Sequence, residues 1–340
     1  MSASRGRSLV RTAGALYVIG LVLAIALMRF VGEHHWATTI LLYLPRLGFF
    51  LPLPFIVGAY LVVRDWLRAL VVLVVAALLV VFPLMGWKMA GRDESAPGSI
   101  RVMSWNTYFG RIDNEAIYKK FLEEKPDILL GQATAHRTKE LFRADPAGYF
   151  IDTTEEFFLA TRFPIVDVFH PPDLAEDAMH HANFVRYTLQ TPSGLVDVYN
   201  VHPKSPRTGI ERFRGTGLRT KLAQGELPDD AAQPIAENTL IRRRQVEAVA
   251  AAMKTSKNSI LLAGDTNLPT LSWLFHQAFS ELQDGFAEAG KGLGYSFPAK
   301  RPWMRIDRVL ADDSFRFLRF KTGTVIASDH HYVVADLVKK

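Results

Sequence analysis

Ile260-Leu-Leu-Ala263 runs directly into Gly264-Asp265-Thr266-Asn267. Four apolar residues bounded by a turn signal read as a short buried strand. Polar side chains at the end of such a strand are held by a rigid scaffold, which is where chemistry needs them. The same arrangement recurs in the chain. His202 follows Val198-Tyr-Asn-Val201, Asn106 closes Ile100-Arg-Val-Met-Ser-Trp-Asn106, and Ser328-Asp329-His330 precedes the apolar residues 332–338. Each has an ordinary reading when taken alone: Asp265 and Asn267 as turn residues, His202 as a structural histidine. Their repetition at strand ends within one domain carries the functional reading.

Around these points the pattern predicts strands at residues 100–106, 128–130, 157–160, 184–190, 196–201, 259–263, 305–310 and 332–338. Helical spacing covers residues 115–124, stopped by Pro126, and residues 238–254 and 270–279. Strands outnumber helices, and several are apolar enough to be covered on both faces. An α/β fold follows, with two packed β-sheets flanked by helices in a four-layer sandwich.

The chain has 340 residues, no cysteine and a formal net charge of +6. Disulfides and thiolate metal sites are excluded. Much of the arginine before residue 91 flanks apolar runs, where it sets membrane topology rather than recruiting an anion. Residues 1–90 read as an α-helical membrane domain, 91–98 as a polar linker and 99–340 as the globular domain. Spans are expected at residues 12–28 and 69–87, since about 20 apolar residues cross a bilayer. Between them residues 38–63 are apolar but interrupted by Pro45, Arg46, Pro52 and Pro54. The middle span is therefore residues 47–63 or a longer kinked helix, giving about three crossings. No small-residue cleavage site follows the first run, which argues against a signal peptide. Arg5, Arg7 and Arg11 before the first span, and Arg64 and Arg68 before the last, put both of those segments in the cytoplasm and the globular domain outside a multi-pass cell-membrane protein. Lys88 and Arg92 oppose that orientation. Trp36, Trp66 and Trp87 suit interfacial anchors.

The order of motifs resembles the endonuclease/exonuclease/phosphatase superfamily, which includes nucleases, inositol-polyphosphate phosphatases and sphingomyelinases. The matching segments are Ser104-Trp-Asn106, Pro126-Asp127-Ile-Leu-Leu-Gly-Gln132, Asn200-Val-His202, Gly264-Asp-Thr-Asn267, Arg305-Ile-Asp307 and Ser328-Asp-His330, with Thr161-Arg-Phe-Pro-Ile165 between the second and third. His202-Pro-Lys-Ser-Pro206, Arg242-Arg-Arg-Gln245 and the preceding spans look most like a membrane-attached bacterial branch, that of the VanJ-type teicoplanin-resistance proteins.

The resemblance implies a metal-dependent hydrolase of phosphate esters or anhydrides. Asp307 would orient His330, Asp265 would position or deprotonate water, Asn267 would bond the phosphoryl group, and His202 would stabilise developing charge. Asn106 and Asp329 would lie on the metal side, where oxygen ligands suit Mg2+ or Mn2+. The family's principal ligand is a glutamate directly after the glutamine, and here Gln132 is followed by Ala133. A methyl group cannot coordinate a hard cation. Weakened or relocated metal binding, loss of catalysis, and an introduced replacement of glutamate all fit that departure. Glu156 is a candidate partner for His202, with Glu155 competing and an exposed loop charge as the ordinary reading.

Three functions follow from this reading. The first is a membrane-anchored phosphohydrolase acting on a membrane lipid or lipid-linked phosphate. The second is an anchored nuclease using Arg207, Arg212, Arg214, Arg219 and Lys221 to hold nucleic acid. The third is a non-catalytic membrane protein that binds a phosphorylated ligand. Specificity is expected in the loops at residues 170–181 and 205–238, and the sequence leaves protein partners undetermined.

Overall fold

The computed structural model describes residues 3–174, 181–210 and 228–340. Two compact units divide the chain: Met1–Trp87 with Leu271–Trp273, and Lys88–Thr270 with Leu274–Lys340.

In the first unit two helices, Ser4–His34 and Trp66–Leu84, are long and apolar enough to cross a membrane. On these helices Leu16, Ile19, Leu70 and Leu78 are more than half exposed. The middle segment is expected as residues 47–63 or a longer kinked helix. It consists of Trp36–Tyr43 and Arg46–Val62, bent by 96° at the break, and makes a third crossing only if the pair is one broken span. Pro45 supplies the cause, because the residue before a proline is pushed out of helical geometry; Leu44 sits at φ −74°, ψ 146°. Arg46 is buried at this bend, and its guanidinium donates to the carbonyls of Leu41 at 2.8 Å and Leu42 at 2.7 Å. These are helix-end carbonyls with no partner in their own helix. Asp65 accepts from Arg11 Nε and Arg68 Nη1, each at 2.9 Å, so the start of the first long helix lies beside the turn that opens the last.

The second unit is built on two six-stranded mixed sheets. The first has strand order β11-β12-β1-β2-β4-β3: β1 is Ile100–Asn106, β2 Ile128–Gln132, β3 Phe150–Thr154, β4 Phe157–Thr161, β11 Phe315–Thr322 and β12 Val333–Lys339. The second has order β5-β6-β7-β8-β10-β9, with β5 Ile165–Phe169, β6 Phe184–Thr191, β7 Gly194–Val201, β8 Ser259–Asp265, β9 Gln283–Asp284 and β10 Asp307–Ala311. Each sheet has one central parallel pair, β1 with β2 and β7 with β8, and is otherwise antiparallel.

Apolar side chains from both inner faces fill the space between the sheets, among them Val102, Leu130, Leu159, Val198, Leu261, Val309 and Val333. The outer face of the first sheet is covered through Met103, Trp105 and Phe158, which pack with Ile117 and Phe121 of helix Asn114–Glu124 and Phe142 of helix His136–Ala144. At one end of the sandwich a polar bridge joins the two sheets. Gln132 Nε2 donates to Asn200 Oδ1 at 2.7 Å, and Asn200 Nδ2 donates back to the carbonyl of Gly131 at 3.1 Å. That pairing satisfies amide groups that burial would otherwise leave costly.

The eight expected strands are present. Strands β3, β5, β9 and β11 and the helix His136–Ala144 are additional. The helix Pro228–Lys254 begins ten residues before the expected start. Residues 91–98, read as a linker, lie along the second unit: Arg92 N donates to Ala289 O and Glu94 N to Leu318 O, both at 3.1 Å.

Candidate active site

The strand registers bring the chemistry together. Asn106 ends β1, Asp265 ends β8, Asp307 starts β10 directly opposite Asp265, and His202 follows Val201, which pairs with Gly264. Gly264 is required at this point: a Cβ there would meet the Val201 carbonyl oxygen at 2.0 Å. The glycine therefore allows the close strand approach that sets His202 beside Asp265. Ser328 ties in the last segment by donating from Oγ to the carbonyl of Asn106 at 2.7 Å.

Asp265 is the centre of the cluster and is almost fully buried. Its Oδ2 accepts from Asn106 Nδ2 at 3.0 Å and lies 3.6 Å from both His202 Nε2 and His330 Nε2. Its Oδ1 accepts from the backbone N of Asn267 at 2.9 Å. Each imidazole has its own carboxylate behind it: Glu156 Oε1 is 3.1 Å from His202 Nδ1, and Asp307 Oδ2 is 2.8 Å from His330 Nδ1. Phe297 stacks on His330 with ring centroids 4.5 Å apart. Two carboxylate–imidazole pairs thus converge on one carboxylate.

Burial opposes the charge on His330, but Asp307 and Asp265 outweigh it and raise the imidazole to about 9. Burial likewise opposes protonation of His202, and Glu156 followed by Asp265 holds it above the usual histidine range. Both rings therefore favour the protonated, donor form that an anion would meet.

Asn106, His202, Asp265, Asp307 and His330 form one connected group, and Asn267 joins it through Asp265. Asn267 Nδ2, expected to face a phosphoryl oxygen, donates to the Pro203 carbonyl at 2.9 Å. Asp329 lies next to His330 in the chain, and burial raises its carboxyl. Ala133 is buried one residue beyond Gln132, which pairs with Asn106 across β1 and β2. Its carbonyl accepts from Thr107 Oγ1 at 2.9 Å and Phe109 N at 2.6 Å.

Glu156 corrects the expectation of an exposed loop charge: it is 22% exposed and bonded to His202, while Glu155 is the exposed one. Lys139 was not foreseen. Its buried ammonium donates to the Glu155 carbonyl and so holds the turn that carries Glu156. Of the basic run, Arg212, Arg214, Arg219 and Lys221 lie outside the described residues, as does part of each specificity loop.

The donors suit a hard cation in kind but are one short in number. Asp329 Oδ1 is buried without a hydrogen-bond partner, and Asn106 adds an amide oxygen, but Ala133 offers nothing where a second carboxylate would complete an oxygen set. Asp265, Asp307 and His330 also present ligand atoms within 4.8 Å of one another. Their lone pairs and protons are largely engaged with each other.

Buried carboxylates and imidazoles thus gather where two packed mixed sheets flanked by helices end. Residues 103–330 match the model of the Endonuclease/Exonuclease/phosphatase family, and the chain belongs to that family. No curated protein matches it. Among solved structures, a humanized D. rerio TDP2 carrying 14 mutations is similar with a TM-score of 0.52 and 13% identity, covering 71% of this chain and 100% of that one. The mannosyl-6-phosphatase of Bacteroides thetaiotaomicron VPI-5482 has a TM-score of 0.51 and 17% identity, covering 70% and 99%. A family protein from Leptotrichia buccalis gives 0.52 and 12%, covering 70% and 99%. At these identities the likeness is one of fold.

Proposed function

We propose that the chain is a membrane-anchored phosphohydrolase acting on a lipid-linked phosphate, with a metal site weakened by Ala133. One observation carries this reading: two carboxylate-backed imidazoles and Asn106 surround the buried carboxylate of Asp265. In hydrolysis a water oxygen forms a new bond to phosphorus as the bond to the leaving oxygen breaks. Asp265 takes the proton from that water. The His330 imidazolium, aligned by Asp307, holds the phosphoryl oxygens. The His202 imidazolium, aligned by Glu156, gives its proton to the leaving oxygen. Asn267 fixes Asp265 through its backbone N–H. A divalent cation, magnesium or manganese by its oxygen donors, would be held by Asp329 and Asn106 and would neutralise charge on the phosphoryl group.

The membrane reading is supported by the two long apolar helices. The Arg11–Asp65–Arg68 cluster places the chain start and the turn before the last helix at one end of the first unit. With arginines marking the cytoplasmic face, the last helix then leads the second unit to the extracytoplasmic side. Similar folds serve a phosphosugar, in the mannosyl-6-phosphatase, and single-strand DNA, in a D. rerio TDP2 complex. The nuclease reading draws only Arg207 from the described residues.

The test is phosphate release by the full chain carrying Ala133→Glu, screened against lipid-linked, nucleotide and sugar phosphates with magnesium. Release that is fastest from the lipid-linked class is expected. Preference for nucleotides or oligonucleotides overturns the lipid assignment, and release from none of the three overturns the hydrolase reading.

A further inference from the structure

We infer that an apolar rim beside this site, made by Phe109, Ile112 and Ile326 with Arg111 next to Phe109, receives the hydrocarbon chain of an anionic lipid phosphate. The inference rests on the phosphohydrolase reading and assigns the residues that select its substrate class. Segment 107–113 continues from Asn106, and segment 323–329 runs into His330. Two hydrogen bonds join these segments: Ser328 Oγ to the Asn106 carbonyl at 2.7 Å, and Asp113 N to the Ala327 carbonyl at 3.3 Å. Ile112 and Ile326 each stand one residue before the partners of the second bond, and they are 44% and 49% exposed. Phe109 is 47% exposed although its backbone N is held on the Ala133 carbonyl. Three large apolar side chains are thus kept in water by segments that are otherwise tied down beside the reacting groups.

A cation lies beside Phe109. The Arg111 guanidinium sits 5.1 Å from the Tyr108 ring and 6.0 Å from the Phe109 ring and makes no ion pair with a described residue. Apolar surface beside one positive charge that makes no ion pair with a described residue, next to the His202 and His330 imidazoles, matches a phosphate carrying an alkyl or isoprenoid chain. A nucleic acid fits the rim less well. Base stacking needs flat aromatic faces, whereas two of the three rim residues are branched aliphatics. The same chain also carries two helices long and apolar enough to span a membrane, so a chain-bearing substrate is at hand wherever the protein resides in lipid.

The experiment uses the full chain in lipid nanodiscs. In the Ala133→Glu background, Phe109→Ser, Ile112→Ser and Ile326→Ser are combined, and dodecyl phosphate is compared with methyl phosphate. A fall of roughly 10- to 100-fold in kcat/KM for dodecyl phosphate is expected, with methyl phosphate within about twofold. An equal fall for both substrates, or none for either, overturns the rim. A second measurement is independent of turnover: a dodecyl phosphate bearing a diazirine near its head group is photoactivated on the Ala133 chain. Label on residues 109–112 and 326, lost in the triple variant, is expected. Label confined to residues 1–87 overturns the rim, and label on the rim together with no turnover of either substrate by the Ala133→Glu form keeps the rim while overturning the hydrolase reading.

Discussion

Glu156→Ala is the sharpest perturbation of the His202 arm. Glu156 Oε1 lies 3.1 Å from His202 Nδ1, and the two side chains are 22% and 16% exposed, enough burial to limit solvent screening. A hydrogen bond to a charged group in such a setting contributes about 1.5–3 kcal/mol. If that interaction is fully used in the transition state, its loss slows turnover roughly 10- to 150-fold. Burial pulls the His202 titration down, and Glu156 and Asp265 pull it up. Without Glu156 only Asp265 opposes burial, so the titration moves to lower pH, and with it the alkaline limb of a rate profile that needs the imidazolium. The assay is carbon-detected NMR of labelled histidines in the full chain, together with kcat/KM against pH in the Ala133→Glu background. Glu156→Gln still accepts the hydrogen bond and recovers part of the rate but not the pKa, while Glu155→Ala changes neither. An unmoved His202 titration in Glu156→Ala, or equal effects from Glu155→Ala, would refute the reasoning.

Lys139→Met frees the turn that holds Glu156, so His202 titrates lower by NMR, as in Glu156→Ala but less, and the two changes together are less than additive. Gln132→Ala strands the Asn200 side-chain oxygen in the inter-sheet bridge and costs about 1–3 kcal/mol; near-UV circular dichroism during heating reads the lowered midpoint of the second unit. Burial disfavours the charge on Glu124, but Lys321 and Tyr332 outweigh it and hold the carboxyl below its ordinary 4.5. Its stabilisation is full above that unfolded value and disappears as pH falls through the lower folded one. Lys321→Met therefore moves acid unfolding to higher pH, measured by tryptophan fluorescence.

Much of the site was legible because its residues border short apolar runs, and a buried strand followed by glycine or a polar turn leaves few alternatives. Asp265 and His202 were found that way. What sequence does not carry is which strands become neighbours, so the opposition of Asp265 and Asp307 across β8 and β10 had to come from the fold. Glu156 was misread because two adjacent glutamates carry no mark of which points inward. The hairpin that decides it pairs β4 with β3, an edge strand whose half-exposed residues give little burial signal. In β11 the apolar alternation is broken by a register shift between Phe317 and Arg319. In the first unit Pro45 announced a break, but the 96° bend is accompanied by Arg46 satisfying the helix-end carbonyls, a three-dimensional fact.

The most direct measurement is magnesium-dependent phosphate release by three forms of the full chain: Ala133, Ala133→Glu, and Ala133→Glu with Asp265→Asn. If the cluster around Asp265 is a phosphoryl-transfer site lacking one ligand, the second form turns over and the third falls by about 100-fold or more. Equal rates in all three, with or without the metal, would contradict it.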